Sequence, residues 1–298
     1  MKKFVIITDS CSDLDKELRA KYDIQYVPMH FSIDGKDYVA SLDWDEISAP
    51  DFYNVMRGGK RIMTAQVNAN DYIAAFEDAI NNGYDVLSIS CSAALSASVK
   101  ASYTVRDSLL EKYPDAKIIC IDALNSCSGL GMICIAAAEL RSEGKSIEET
   151  ASWVEENKLK FNQEATVDKL TYLKQAGRVS AASAFFGGIF NVKPIIISDV
   201  GGKNAAIEKV KGRKTSIDRL AERFSEEYEP GREIVIAHAD CPADAELLKE
   251  AILGKLENKN VSVRTAYIGP IVGASVGPGT IAVYFYGKAV SYDASCAE

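Results

Sequence analysis

Histidine is almost missing from this chain. Only His30 and His238 occur in 298 residues, so neither an HExxH helix nor a Cys/His zinc spacing can be assembled. Cysteine is more frequent (Cys11, Cys91, Cys120, Cys127, Cys134, Cys241 and Cys296), but the number is odd, no CxxC pair occurs, and most lie in apolar segments. That usage fits reduced thiols in a reducing compartment. No apolar run approaches the roughly 18 to 20 residues that cross a bilayer. The opening Lys2-Lys3 and Phe4 to Ile7 meet Thr8-Asp9 too soon for a secretory leader, so the expectation is a cytoplasmic protein without an integral membrane segment. Neither GxxxxGK[ST] nor GxGxxG is present, which removes the usual backbone cradles for ATP and dinucleotides. An excess of positive charge is lacking too: 34 Lys and Arg stand against 42 Asp and Glu, and a net charge of -8 opposes binding to nucleic acid or anionic lipid.

What is present is a globular composition, 47% hydrophobic and 26% charged, long enough for two domains. Lys3 to Thr8, Val86 to Ser90 and Lys117 to Asp122 are short, almost unbroken apolar runs, the pattern of strands buried on both faces of a parallel sheet. Helical patterns lie between and after them: Asp71 to Asn81 with Asn70 as cap, Ser96 to Lys112, and Ser126 to Ser142. Ser146 and Glu149 have the spacing of a capping box and start a helix from Ile147 to about Phe161. Beyond it the rhythm changes. Ala165 to Asp168, Pro194 to Ser198, Ala206 to Val210, Glu233 to His238, Val261 to Tyr267 and Thr280 to Tyr286 read as strands. Helices are expected near 214–227 and 242–257, the second with Asp240 as cap and Pro242 in its first turn. The predicted fold is therefore α/β with two α/β domains, residues 1–162 with a largely parallel sheet and residues 163–290 with a mixed or antiparallel one, then a tail over 291–298. With no low-complexity linker between them, their cleft is the place to seek a site.

Gly273-Ala274-Ser275-Val276-Gly277 matches the G-x-S-x-G elbow of serine hydrolases, but a strand-like segment follows it where a helix is required, and no histidine lies downstream. His238 ends an apolar strand and reads as a structural residue bonded to nearby backbone. More informative are hydroxyl clusters just past apolar strands: Thr8-Asp9-Ser10, Thr64-Ala65-Gln66, and Ser90-Cys91-Ser92 running on through Leu95-Ser96. Ligands of open α/β sheets bind beyond the carboxyl ends of strands, and neutral hydroxyl donors there can hold a carboxylate.

Seven segments, in order, resemble the DegV family of bacterial fatty-acid-binding proteins, and they span nearly the whole chain. Asp9 to Leu14 is similar to DSTADL, Ile33-Asp34-Gly35-Lys36 to a short hairpin turn, and Thr64 to Val67 to TSQP. Ser92 to Ser98 resembles SSxLSGT, Leu170 to Ser180 follows LxYLxxGGRIS, Asn191 to Ile196 resembles NIKPIL, and Gly273 to Gly279 resembles GAHxGPG. The resemblance implies one buried long-chain, palmitate-like fatty acid between two domains, its carboxylate held at Thr64 and Ser92, with no cofactor and no catalytic residue. About 14 buried methylenes at ~0.8 kcal/mol each would give about 11 kcal/mol gross, so the tail supplies affinity and the head orientation.

Phe185, Phe186, Ile189 and Phe190 are nominated to line the acyl chain, and Arg178 and Ser275 to meet the head group or a partner. Some members of the family hand their ligand to a dihydroxyacetone-kinase-like subunit of a fatty acid kinase, which would account for the missing phosphate loop. Departures from the family pattern thin the hydroxyl network: Ala65, Val67, Ala93 and Ala97-Ser98 replace Ser, Pro, Ser and Gly-Thr, and Ser275 replaces the histidine before GPG. Two other readings stay open, a serine hydrolase using Ser92 or Ser275, and a binding protein for a different small anion.

Overall fold

A computed structural model describes residues 3–180 and 191–296. The first domain is built on Phe4–Asp9 (β1) and Ile24–Val27 (β2), followed by a small hairpin, His30–Ile33 (β3) and Lys36–Val39 (β4). Ile62–Ala65 (β5), Asp85–Ser90 (β6) and Ile118–Asp122 (β7) complete its strands. Its helices are Lys16–Tyr22 (α1), Ala49–Arg57 (α2), Ala69–Asn81 (α3), Ser98–Lys112 (α4), Cys127–Ser142 (α5) and Ile147–Asn157 (α6). The order β2-β1-β6-β7 is parallel throughout, as expected. Every residue of β1 and β6 is buried, because helices cover both faces of such a sheet.

The second domain comprises Phe161–Thr166 (β8), Leu170–Ala176 (α7), Val179–Ser180 (β9), Val192–Ser198 (β10), Asn204–Lys211 (β11) and Arg213–Glu227 (α8). Ile234–His238 (β12), Pro242–Lys255 (α9), Val263–Tyr267 (β13), Pro270–Val276 (α10) and Ile281–Tyr286 (β14) follow. Its sheet runs β13-β12-β14-β8-β10-β11-β9 and is mixed: β12 with β13 and β11 with β9 are parallel, and the other pairs antiparallel. The core of the first domain continues without a break into this unit through Phe161, Ile268, Ile271 and Tyr284. A second cluster under α8 and α9 closes the far side.

Several local expectations change in detail. The α3 cap is Asn68, whose side chain accepts from the Asn70 backbone N–H, and not Asn70 itself. At α9 the cap position is Cys241 without a side-chain bond, and Asp240 is instead engaged by Arg57 at 2.5 Å. The strand expected from Ala165 begins at Phe161, because Gln163 and Glu164 are buried polar residues with partners, Asn204 at 3.1 Å and Arg223 at 2.7 Å. The order β4-β3-β5 forms a third, antiparallel sheet that the apolar pattern does not announce. Its hairpin turn is Asp34-Gly35, both with positive φ, as a two-residue turn between twisted strands requires. Phe185, Phe186, Ile189 and Phe190 lie outside the described residues.

Candidate functional site

Thr64 sits near the end of β5, opposite Phe31 of β3, and is exposed. That strand delivers it to a chamber of about 190 Å³ between the domains, whose wall also includes Ser96, Arg178 and Ser275. A smaller adjoining cavity of about 20 Å³ is lined mainly by apolar residues, among them Ala165, Ile196, Ile268 and Ala282, with Gln163 and Thr280 between them; Ser126, Val179, Asn204, Val272 and Val276 border both cavities. The larger cavity thus carries hydroxyls and a guanidinium, and the smaller one lies mostly among aliphatic side chains next to the second sheet.

Ser92 does not line this chamber. It is fully buried, its Oγ accepts from the Ala94 N–H at 3.2 Å, and a Cβ placed on Gly202 would fall 2.3 Å from that oxygen. Gly202 has φ +72 and must stay a glycine for the second domain to close over this serine. The hydroxyl thus lies directly under Gly202 where the two domains meet.

Ser96, four residues on, is in the chamber wall. Its Oγ accepts from the Ser98 N–H at 3.2 Å and lies 2.9 Å from Ser98 Oγ, which in turn accepts from the Val67 N–H at 3.1 Å. If Ser98 directs its one proton to Ser96, the Ser96 proton is left for an acceptor in the chamber. The same bonds tie the Thr64-to-Val67 segment to the start of α4. Two hydroxyls from separate sequence motifs are therefore held in one cavity.

Arg178 follows Gly177, the left-handed cap of α7, and donates from Nη1 to the Ala176 carbonyl at 2.7 Å and from Nε to Leu95 at 3.4 Å. It borders both the chamber and an adjoining surface groove that contains Lys60 and Arg61 and shares Thr64 and Ser275. Arg61 donates to the Gln175 carbonyl at 3.1 Å. Lys60 is paired with Asp34 at 2.6 Å, so Arg61 and Arg178 are the guanidinium groups left beside the chamber in a chain of net charge -8.

Ser275 is in the last turn of α10 and reaches both cavities. It is not at a strand-to-helix elbow. After it Gly277 has φ +80 and packs on the Tyr172 ring so closely that a Cβ would stand 2.1 Å from it. His238 accepts from the Cys241 N–H at 3.3 Å and lies against Tyr267 with ring centroids 4.6 Å apart; burial lowers its pKa. Beneath the chamber, Asp9 accepts from the N–H groups of Cys11 at 2.9 Å and Cys91 at 2.8 Å. Burial pushes its carboxyl up to about 6 against those two bonds.

A model of the DegV family, described as uncharacterised proteins, matches residues 3–288. The chain belongs to the DegV family. A DegV domain-containing protein of Clostridium perfringens is 40% identical over 289 residues, covering 96% of this chain and 98% of that one. Among solved structures, a fatty-acid-binding DegV family protein from Thermus thermophilus superposes with a TM-score of 0.85 at 25% identity, over 97% of this chain and all (100%) of the other. DegV of Bacillus subtilis, described as a fatty acid binding protein, gives 0.82 at 25% identity with the same coverage. Their DegV architecture is the one found here, two α/β domains with a parallel first sheet and a mixed second one. No helix among the described residues is long and apolar enough to cross a membrane.

Proposed function

We propose that this DegV protein binds a long-chain fatty acid between its domains, with the carboxylate at Thr64 and Ser96 and the chain directed toward the second sheet. The observation that carries this reading is the polarity of the two adjoining cavities: hydroxyl donors and Arg178 in the larger, Ile196, Ile268 and Ala282 in the smaller. The two relatives described as binding fatty acids support the ligand class. Ser92, another serine of the second motif, is fully buried beneath Gly202 and is not in the chamber wall. Arg178 and Ser275 flank the head group. A carrier fits better than a serine hydrolase, since Ser275 ends a helix and His238 already accepts a backbone bond. Arg61 and Arg178 beside the chamber suit presentation of the carboxylate to a separate subunit that handles phosphate.

The test is mass spectrometry of a denaturing extract from protein purified without added lipid. A near-stoichiometric fatty acid of about 14 to 18 carbons is expected, its methylenes supplying affinity at about 0.8 kcal/mol each. The pair Thr64→Val and Ser96→Ala should keep the fold and weaken retention about tenfold or more, the loss of two head-group bonds, whereas Ser92→Ala should not. Retention unchanged in the double variant would sink the head-group assignment, and a short-chain or polar anion in the extract would sink the ligand class.

A further inference from the structure

Three sulfur atoms meet in the wall of the same chamber. Cys11 Sγ donates to Met29 Sδ at 3.5 Å, the side chain of Cys91 interacts with that of Cys11, and all three residues line the cavity. They come from separate segments, and the end of β1 holds each one. Asp9 accepts from the backbone N–H of Cys11 and of Cys91, and Ser10 Oγ accepts from that of Met29 at 2.9 Å. Cys11 stands where the DSTADL-like pattern has a threonine, so the cluster is a property of this chain and not of the motif.

We propose that Cys11, Cys91 and Met29 form a binding site for a soft monovalent metal ion, Cu(I) in kind. Thiolate and thioether sulfurs select such cations over hard ones, and a thioether has no part in a simple dithiol. Metal–sulfur bonds of about 2.3 Å in a trigonal arrangement set sulfurs about 4 Å apart. The 3.5 Å between Cys11 and Met29 needs only a small opening to admit the ion, whereas a disulfide would draw Cys11 and Cys91 to about 2 Å. Charge favours a monovalent ion as well. One thiol gives its proton to solvent, and the resulting thiolate, the remaining thiol and the thioether each donate a lone pair. No electron is transferred, and the wall keeps a net charge of zero. Among the described residues no three His, Cys, Asp or Glu side chains gather as a harder metal would need. The third ligand here is a methionine.

The experiment uses reduced, delipidated protein in a Cys296→Ser background, which removes the exposed thiol, titrated anaerobically with Cu(I) against a chromophoric Cu(I) chelator and, separately, with Ag(I). One ion per chain is expected, with an all-sulfur first shell by X-ray absorption. Cys11→Ser, Cys91→Ser and the near-isosteric Met29→Leu should each lower affinity at least tenfold, while Cys134→Ala, a buried cysteine of α5 outside this wall, should not. Affinity unchanged in Cys11→Ser and Met29→Leu overturns the site, as does a Cys11–Cys91 disulfide with the metal left in solution. None of these outcomes depends on the fatty-acid reading, which the lipid extract tests alone.

Discussion

Glu164 shows what one buried residue does to the whole energy balance. It lies in the middle of the second sheet with its side chain almost fully covered, bonded to Arg223 at 2.7 Å. Burial outweighs that guanidinium and raises the carboxyl to about 7 from an ordinary 4.5. Between those two values the folded protein holds a proton that the unfolded chain has released. Stability from this group is therefore complete below 4.5 and is lost as pH rises through 7. Glu164→Gln does not titrate and keeps an acceptor for Arg223. The unfolding free energy of the wild type minus that of the variant should fall by up to about 3 kcal/mol across this window and be flat on either side. Denaturant titrations at several pH values measure it, and a difference independent of pH would refute the burial argument. Asp9 and Asp13, raised to about 6 and about 7 by burial, cancel in the subtraction.

At the scale of elements, α6 is the segment whose start is fully written in local sequence. Ser146 accepts from the Glu149 N–H at 3.2 Å and Glu149 accepts from the Ser146 N–H at 2.8 Å, a reciprocal cap. Ser146→Ala should cost about 1 kcal/mol, read as a shift in the denaturant midpoint with unchanged slope. A loss below a few tenths would mean that packing of Ile147 and Val154 alone defines the helix start. The strands β1 and β6 are equally legible, because residues covered on both faces form continuous apolar runs, and β7 keeps such a run although it is an edge strand with three of five residues partly exposed. Where an element depends on distant partners, legibility ends. The beginning of β8 reads as polar because Gln163 and Glu164 find Asn204 and Arg223, 41 and 59 residues away. The sheet of β3, β4 and β5 alternates weakly, and only its turn glycine is a clear signal. The site follows the same rule. A hydroxyl cluster from Ser90 to Ser96 is visible in the sequence, and Thr64 is in the cavity wall. Ser92 is covered by Gly202 from the second domain while Ser96 lies in the cavity wall, an arrangement that no spacing encodes.

The whole molecule is two domains sharing one continuous core, with the chamber at their junction. Several bonds already cross that junction: Asn125 Nδ2 donates to the Phe161 carbonyl at 2.7 Å, Ser198 Oγ to Leu124 at 3.0 Å, and Tyr53 OH to Ile268 at 2.5 Å. A ligand seated there touches both units and binds only when they are together, so its free energy adds to the stability of the assembled chain and not to either half. At a free concentration of about 100 times the dissociation constant that addition is about 2.7 kcal/mol. For a chain of this length it corresponds to an upward shift of about 4 °C in the thermal midpoint. Calorimetry of delipidated protein with and without palmitate should therefore show one transition moving upward as a unit. The Thr64→Val, Ser96→Ala variant at the same palmitate concentration should shift less, since its occupancy is lower. If palmitate moved only part of the transition, the ligand would be held by one domain, and the junction would not be its site.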